Sequence, residues 1–349
     1  MTPSRAHQPP LLALLRAGLG SEVLRPMAPL AEDAVRWAIA TGLGPLVMRA
    51  TGHDPAASTS PAWPLVRAAC LTARALTALQ MDATSEIIEA CRRRAPPLVL
   101  LKGISLCEAY YPEPHLRPMR DIDVLVEEPA VPAVEAVLAD LGYRQESTRP
   151  AAFYEGHHHS SPFVHPDTGI WVDVHRAVVT SRSELAATRA FRSDNLAAEL
   201  RASTFRGGAV RRLSDELQIV HVACHWARGL RVVGGMTAMA DVICLLGRRR
   251  ILDWERILGW VEASPASRHL GLLLSYLHRW GLIALPAAIA ARLVRSPAAP
   301  SRLTARLGYL LVDRYVVNGR EFGSVISERT FSRLWNWIVL GKPGRARGG

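Results

Sequence analysis

The segment RPMRDIDVLVEEP, residues 117–129, constrains this chain more than any other stretch. Ile122, Val124 and Val126 alternate with Asp121 and Asp123, and side chains two positions apart on a strand share a face at about 6.5–7 Å. The run therefore predicts a β-strand with one apolar face and one anionic face. Two ionised carboxylates held that close repel, and each raises the pKa of the other unless a cation lies between them. Mg²⁺ suits the position, because it takes oxygen ligands and keeps waters and substrate phosphates in its remaining sites. A lone D-x-D would equally serve as a turn, a cap or a surface ion pair with Arg117 or Arg120.

A third acid comes from IWVDVHRAVV, where alternation places Trp171, Asp173 and His175 on one face and Val172 and Val174 on the other. Three carboxylates on two strands can hold two Mg²⁺ about 3.5–4 Å apart, the arrangement that activates an attacking oxygen and stabilises the leaving one. Lys102 and Lys342 are the only lysines among the 42 basic residues. Lys102 follows the apolar run PPLVLL and precedes Gly103, so it is either a phosphate contact or a solvated strand-edge lysine. Arg117 and Arg120, in the loop entering the acidic strand, either clamp phosphates bidentately or pair with Glu113, Glu127 or Glu128. His175 would contact substrate, relay a proton or orient Asp173.

At 349 residues, 49% of them hydrophobic and 21% charged, the chain has the composition of a globular protein of two or three units. Apolar spacing of three and four predicts helices from about residue 10 to 95, broken by the Pro/Ser-rich DPAASTSPAWP. PPLVLLKG reads as a buried strand, ISLCEAYY as a short helix, DIDVLV as a second strand, and PAVPAVEAVLADLGY as a helix stopped at Gly142. FVHPDTG predicts a hairpin with its turn at 167–169, and IWVDVHRAVV a further strand. From about residue 182 the pattern is mainly helical. The expected fold is α+β: a small mixed sheet at 96–180 between an N-terminal helical segment, 1–95, and a C-terminal helical bundle, 181–349, with the site in the cleft between them. No GxGxxG or GxxxxGK[ST] phosphate loop occurs.

The formal charge of +11 does not by itself imply nucleic acid. The arginines are dispersed, and runs such as 92–94 and 248–250 fall where helices end and cations complement the dipole. No basic stripe interleaved with aromatics is present for a single strand to stack on. The five cysteines are widely spaced and form no CxxC pair, which points to reduced thiols and a cytoplasmic protein. HLGLLLSYLHRWGLIALPAAIAARL is interrupted by His278, Arg279 and Pro286, so it reads as core helices rather than a membrane span.

Two histidine groups invite a metal reading. His157, His158 and His159, with His165 beyond, are adjacent residues that cannot all point one way on regular backbone, and a polar lid near a nucleotide is the expectation. His221 and His225 are spaced i, i+4, but the Glu of HExxH is absent, which removes zinc-protease chemistry; with Asp241 they would pack in a helical core or line the acceptor side of a cleft.

The segment LKGISLCEAYYPEPHLRPMRDIDVLVEEPAVPAVEAVLADLGYR, followed by WVDVH, SDELQIVHVACHWARG and MADVICLLGRRRILDWERI, resembles the uncharacterised bacterial nucleotidyltransferase family of the DNA polymerase beta-like superfamily, over roughly residues 30–290. The resemblance implies Mg²⁺-dependent (or Mn²⁺-dependent) transfer of a nucleoside monophosphate from an NTP, expected to be ATP, to a small-molecule, peptide or protein acceptor. It implies metal binding by Asp121, Asp123 and Asp173 and a triphosphate seat at Gly103; the residues around them add Lys102, Ser105, Arg117, Arg120 and His175 as expected nucleotide contacts. The superfamily's Gly-Ser turn is here Gly103-Ile104-Ser105, so Ser105 either reaches a phosphate or caps a helix, while N–H groups after Gly103 stay available to an anion. The alternatives are a catalytically degenerate nucleotide-binding or partner-binding module, and kinase-like phosphoryl transfer on the same metals.

Overall fold

A computed structural model of the chain describes residues 8–19, 31–52, 59–147, 149–229, 234–247, 251–322 and 326–341. The arginine run 248–250 and Lys342 lie outside the described residues. The fold is α+β, as expected, and forms two compact units: Thr72–Gln218, and Met1–Leu71 with Ile219–Gly349.

The first of these units is built on a seven-stranded mixed sheet in the order β3-β4-β5-β2-β1-β7-β6. Its strands are β1 (Val99–Leu100), β2 (Asp121–Leu125), β3 (Arg144–Gln145), β4 (Phe163–Val164), β5 (Trp171–His175), β6 (Leu200–Phe205) and β7 (Gly208–Leu213). β2 runs parallel to β5 and β1 parallel to β7, while the other pairs are antiparallel. A parallel neighbour requires a crossover, and the connection from β2 to β5 includes the Val131–Asp140 helix. Ile122, Val124, Val172 and Val174 are fully buried in one cluster with Val134, Val137 and Leu138 of that helix and Ile87 of the Trp63–Cys91 helix. Each such side chain removed from water stabilises the fold by about 1.5–3 kcal/mol. That burial commits the opposite face of β2 and β5 to Asp121, Asp123, Asp173 and His175. The turn before β5 has Gly169 at φ +67°, and Gly142 after the crossover helix has φ +89°, both conformations that favour glycine.

One correction concerns the stretch after residue 182, read as mainly helical. Residues 200–213 form the β6–β7 hairpin, registered from Leu200↔Leu213 to Phe205↔Gly208. Its two central residues, Arg206 (φ +46°) and Gly207 (φ +87°), both lie in the left-handed region, which a two-residue hairpin turn of matching twist requires. The signal was an Arg-Gly pair between two alternating runs, obscured by four arginines. Arg212 in β7 is buried and donates to Glu108 Oε2 at 2.6 Å, to the Thr204 carbonyl at 3.2 Å and to the Ser105 carbonyl. It thereby fastens the hairpin to the Lys102–Ala109 helix beside β1.

The other unit is helical among its described residues. The apolar region expected to give core helices forms Pro265–Arg279, burying Leu270, Leu272, Leu273, Leu274 and Leu277, and then Ala287–Arg295. No described helix is long and apolar enough to cross a membrane. His221 and Asp241 are buried, whereas His225 is exposed, so the i, i+4 histidines occupy different environments. All five cysteines are free and buried.

Removing Arg212 leaves the Glu108 carboxylate and two carbonyls without their cation. Arg212→Met is expected to lower unfolding stability by about 3 kcal/mol, measured by urea denaturation; a change below about 0.5 kcal/mol would contradict this role.

Candidate active site

The parallel register of β2 and β5 pairs Asp121 with Trp171, Asp123 with Asp173 and Leu125 with His175. Asp123 and Asp173 are thus direct cross-strand neighbours, on strands about 4.8 Å apart, and Asp121 lies one step along the same face. Carboxylate oxygens of Asp123 and Asp173 and a ring nitrogen of His175 all lie within 4.8 Å of one another.

Lys102 enters from the next strand over. The chain leaves β1 through Leu101, whose N–H donates to the Asp123 carbonyl at 3.0 Å, and turns directly into the Lys102–Ala109 helix. Lys102 takes φ +46° at this junction, a region that L-residues with a Cβ adopt at a cost of about 1 kcal/mol. Its Nζ donates to Asp123 Oδ1 at 2.5 Å, and His175 Nε2 lies 2.8 Å from the same oxygen. The Lys102 side chain is 23% exposed and that of Asp123 only 2%, so the ammonium sits at the boundary between the buried carboxylate and solvent. Lys102 is therefore neither a solvated strand-edge lysine nor held away from the acids. His175 is buried and engages Asp123, where the sequence suggested Asp173.

Of the remaining expected nucleotide contacts, Gly103 and Ser105 are more deeply set. Gly103 is buried, and a Cβ there would fall 2.6 Å from Met119 Cγ. A side chain at this position would have to displace the Met119 side chain that packs on the helix start. Ser105 is fully buried, its hydroxyl has no hydrogen-bond partner among the described residues, and it lies inside the helix, whose N-cap position is Leu101. The N-cap reading of Ser105 is thereby corrected. Arg117 donates to the Pro118 carbonyl at 2.8 Å, and Arg120 is exposed. Glu113 pairs with Arg74 and His115, and Glu128 with Arg176.

Electrostatics separates the three acids. Burial works against charge at Asp123, but the Lys102 ammonium and the His175 hydrogen bond outweigh it and hold the carboxyl well below the usual range. Asp121 has no such partner at bonding distance among the described residues; burial first, then the Asp123 charge, pushes it up to about 6. Burial and Asp123 also raise Asp173. Two of three oxygen donors on one face are thus short of positive charge. That donor chemistry fits a hard divalent cation, which would relieve both.

Beside this face the backbone bends at 157–158. The bend brings ligand nitrogens of His157, His158 and His159 within 4.8 Å of one another, which adjacent histidines on regular backbone could not achieve. His159 bridges to His175 across the strand edge. Burial, then the neighbouring imidazoles, pushes His158 down to about 2, and burial lowers His159. His165 stands apart, edge-on to Tyr143.

The chain matches the model of a family described as uncharacterised nucleotidyltransferase over residues 30–281. It belongs to that family. No curated protein and no solved structure matches it.

Asp121 makes a signed test of the site. Because its folded pKa of about 6 exceeds its ordinary 3.8, folding favours the protonated form, and ionisation costs stability as pH rises from about 4, in full above about 6. In chelator-treated protein Asp121→Asn is expected to be more stable than wild type by about 1–3 kcal/mol at pH 7.5 and nearly equal to it at pH 4. A variant less stable at both values would show that Asp121 is satisfied as it stands.

Proposed function

We propose that the protein is a Mg²⁺-dependent nucleotidyltransferase of the DNA polymerase beta-like kind, moving a nucleoside monophosphate from an NTP, ATP being the expected one, to a small-molecule, peptide or protein acceptor. The observation behind this reading is the in-register pair Asp123–Asp173 with Asp121 on the same face, burial and the Asp123 charge raising the pKa of the other two acids. Asp121, Asp123 and Asp173 would hold the divalent ions, Mg²⁺ or Mn²⁺, whose bound charge screens the triphosphate and lowers the cost of charge on the attacking and leaving oxygens.

The chain's own residues would divide the remaining work. Lys102 neutralises Asp123 in the free protein and, being partly exposed, turns its ammonium to a phosphate oxygen when the triphosphate enters. Arg120, exposed at the mouth of β2, and Arg117 meet the β- and γ-phosphates as bidentate donors. Gly103 contributes by letting the 117–119 loop lie close, and Ser105 by packing under the turn. His175 holds Asp123 in orientation. The acceptor nucleophile attacks the α-phosphorus, the bond to the α–β bridging oxygen breaks, pyrophosphate leaves with that electron pair, and the acceptor proton passes to the Asp173 carboxylate.

The altered turn Gly103-Ile104-Ser105 favours one second reading: a catalytically degenerate nucleotide-binding or partner-binding module. Titration calorimetry with each NTP, with and without Mg²⁺, reports binding, and pyrophosphate release in the presence of candidate acceptors reports turnover. The product mass then distinguishes transfer of AMP from kinase-like transfer of phosphate. Asp121→Asn and Asp173→Asn are expected to cut Mg²⁺-dependent pyrophosphate release at least about 100-fold while remaining folded. Undiminished release in either variant would remove the carboxylates from the chemistry.

A further inference from the structure

We propose that His157, His158 and His159 form a second metal centre that takes a nitrogen-preferring divalent ion of the Zn²⁺ type, beside the carboxylates but chemically distinct from them. Three consecutive histidines on a strand or helix would point apart. Here a turn at 155–156 and a bend at 157–158 bring their rings together, with centroids 4.2 Å apart for His157–His158, 4.3 Å for His157–His159 and 4.8 Å for His158–His159. Each offers a ligand nitrogen within 4.8 Å of the others. In a tetrahedral site with metal–nitrogen bonds of about 2.0–2.1 Å the donors lie about 3.3 Å apart, so closing the site requires ring rotations and no refolding.

The backbone under the trio is already fixed. The His158 carbonyl accepts from the Arg176 and Ala177 N–H groups at 2.9 and 3.2 Å, and the Ser160 N–H donates to the Val174 carbonyl at 2.9 Å. Phe153 stacks on the His157 ring at 4.9 Å, limiting its freedom from the other side. His159 Nδ1 lies 2.7 Å from the Ser160 carbonyl. Donating its proton there would leave Nε2 as the free ligand, which is how a backbone carbonyl fixes the tautomer of a metal-bound histidine. His158 Nδ1 is buried with no hydrogen-bond partner among the described residues, and coordination would satisfy it or its ring partner nitrogen.

Ligand chemistry sorts the two centres. Imidazoles favour Zn²⁺, Cu²⁺ or Ni²⁺, whereas the carboxylate face of β2 and β5 favours Mg²⁺ or Mn²⁺. Three protein ligands leave a fourth position for water or a substrate atom. This inference stands apart from the nucleotidyl-transfer reading, since it uses none of the three acids.

The test uses the full chain without an affinity tag, stripped of metal and titrated with Zn²⁺ against a chromophoric chelator. One ion is expected to bind, millimolar Mg²⁺ is expected not to displace it, and Co²⁺ in its place is expected to show the intense visible bands of a four-coordinate site. His157→Gln and His159→Gln should each weaken binding at least about tenfold with an unchanged circular-dichroism spectrum, whereas Asp121→Asn and Asp173→Asn should leave it intact. Absence of a stoichiometric ion would overturn the proposal, as would octahedral Co²⁺ bands in the wild-type protein. Binding that survives both histidine changes, or is lost instead with Asp121, would overturn it too. Loss of nucleotide turnover with Zn²⁺ binding preserved would count against the proposed activity and not against this centre.

Discussion

The parallel pairing of β2 with β5 is the constraint on which the site rests. Strand alternation alone brings Asp121 and Asp123 to one face and Asp173 and His175 to another, but it says nothing of their relation. The register Asp123↔Asp173 makes those faces one surface, and a slip of a single residue would send the carboxylates of the slipping strand into the apolar core. The register is held in turn by what lies behind it. Ile122, Val124, Val172 and Val174 are fully buried against the crossover helix, so any shift that moved an acid inward would also move a valine or isoleucine out.

Given that register, the site is an electrostatic problem with a partial internal solution. Asp123 is the most buried acid and has two partners on one oxygen, Lys102 and His175. The junction that delivers Lys102 is strained, with a left-handed lysine directly after β1 and a glycine packed beneath Met119. Strain of this sort persists only where the surroundings over-determine it. Arg212 helps to do so by fastening the Lys102–Ala109 helix to the β6–β7 hairpin. Lys102 compensates one carboxylate and leaves the other two with raised pKa values, a surface that gains from added positive charge.

Much of this was legible in the residues. The period-two pattern of DIDVLV and WVDVH identified both strands, both faces and all three acids, because a sheet's alternation is a local property of the backbone. The glycine at 103 was legible as a special position, although its reason, close approach of Met119, depends on a loop sixteen residues away. The β6–β7 hairpin was not read, since Arg212, a charged residue at a buried position beside the exposed Arg211, broke the alternation. The partner of His175 was misplaced because side-chain reach across strands depends on register, which no single strand encodes.

What the sequence by itself determined was the inventory and its periodicity: which side chains share a strand face, which faces must be buried, and that three carboxylates and a lysine stand out from apolar runs. The tertiary structure alone decided their meeting. It put Asp173 next to Asp123, aimed Lys102 at a single carboxylate oxygen, sealed Gly103 and Ser105 inside, and folded three successive histidines into one cluster. Distances between segments far apart in the chain are set by packing and strand register, which are collective outcomes of burial over the whole unit, whereas alternation is set by the geometry of each peptide.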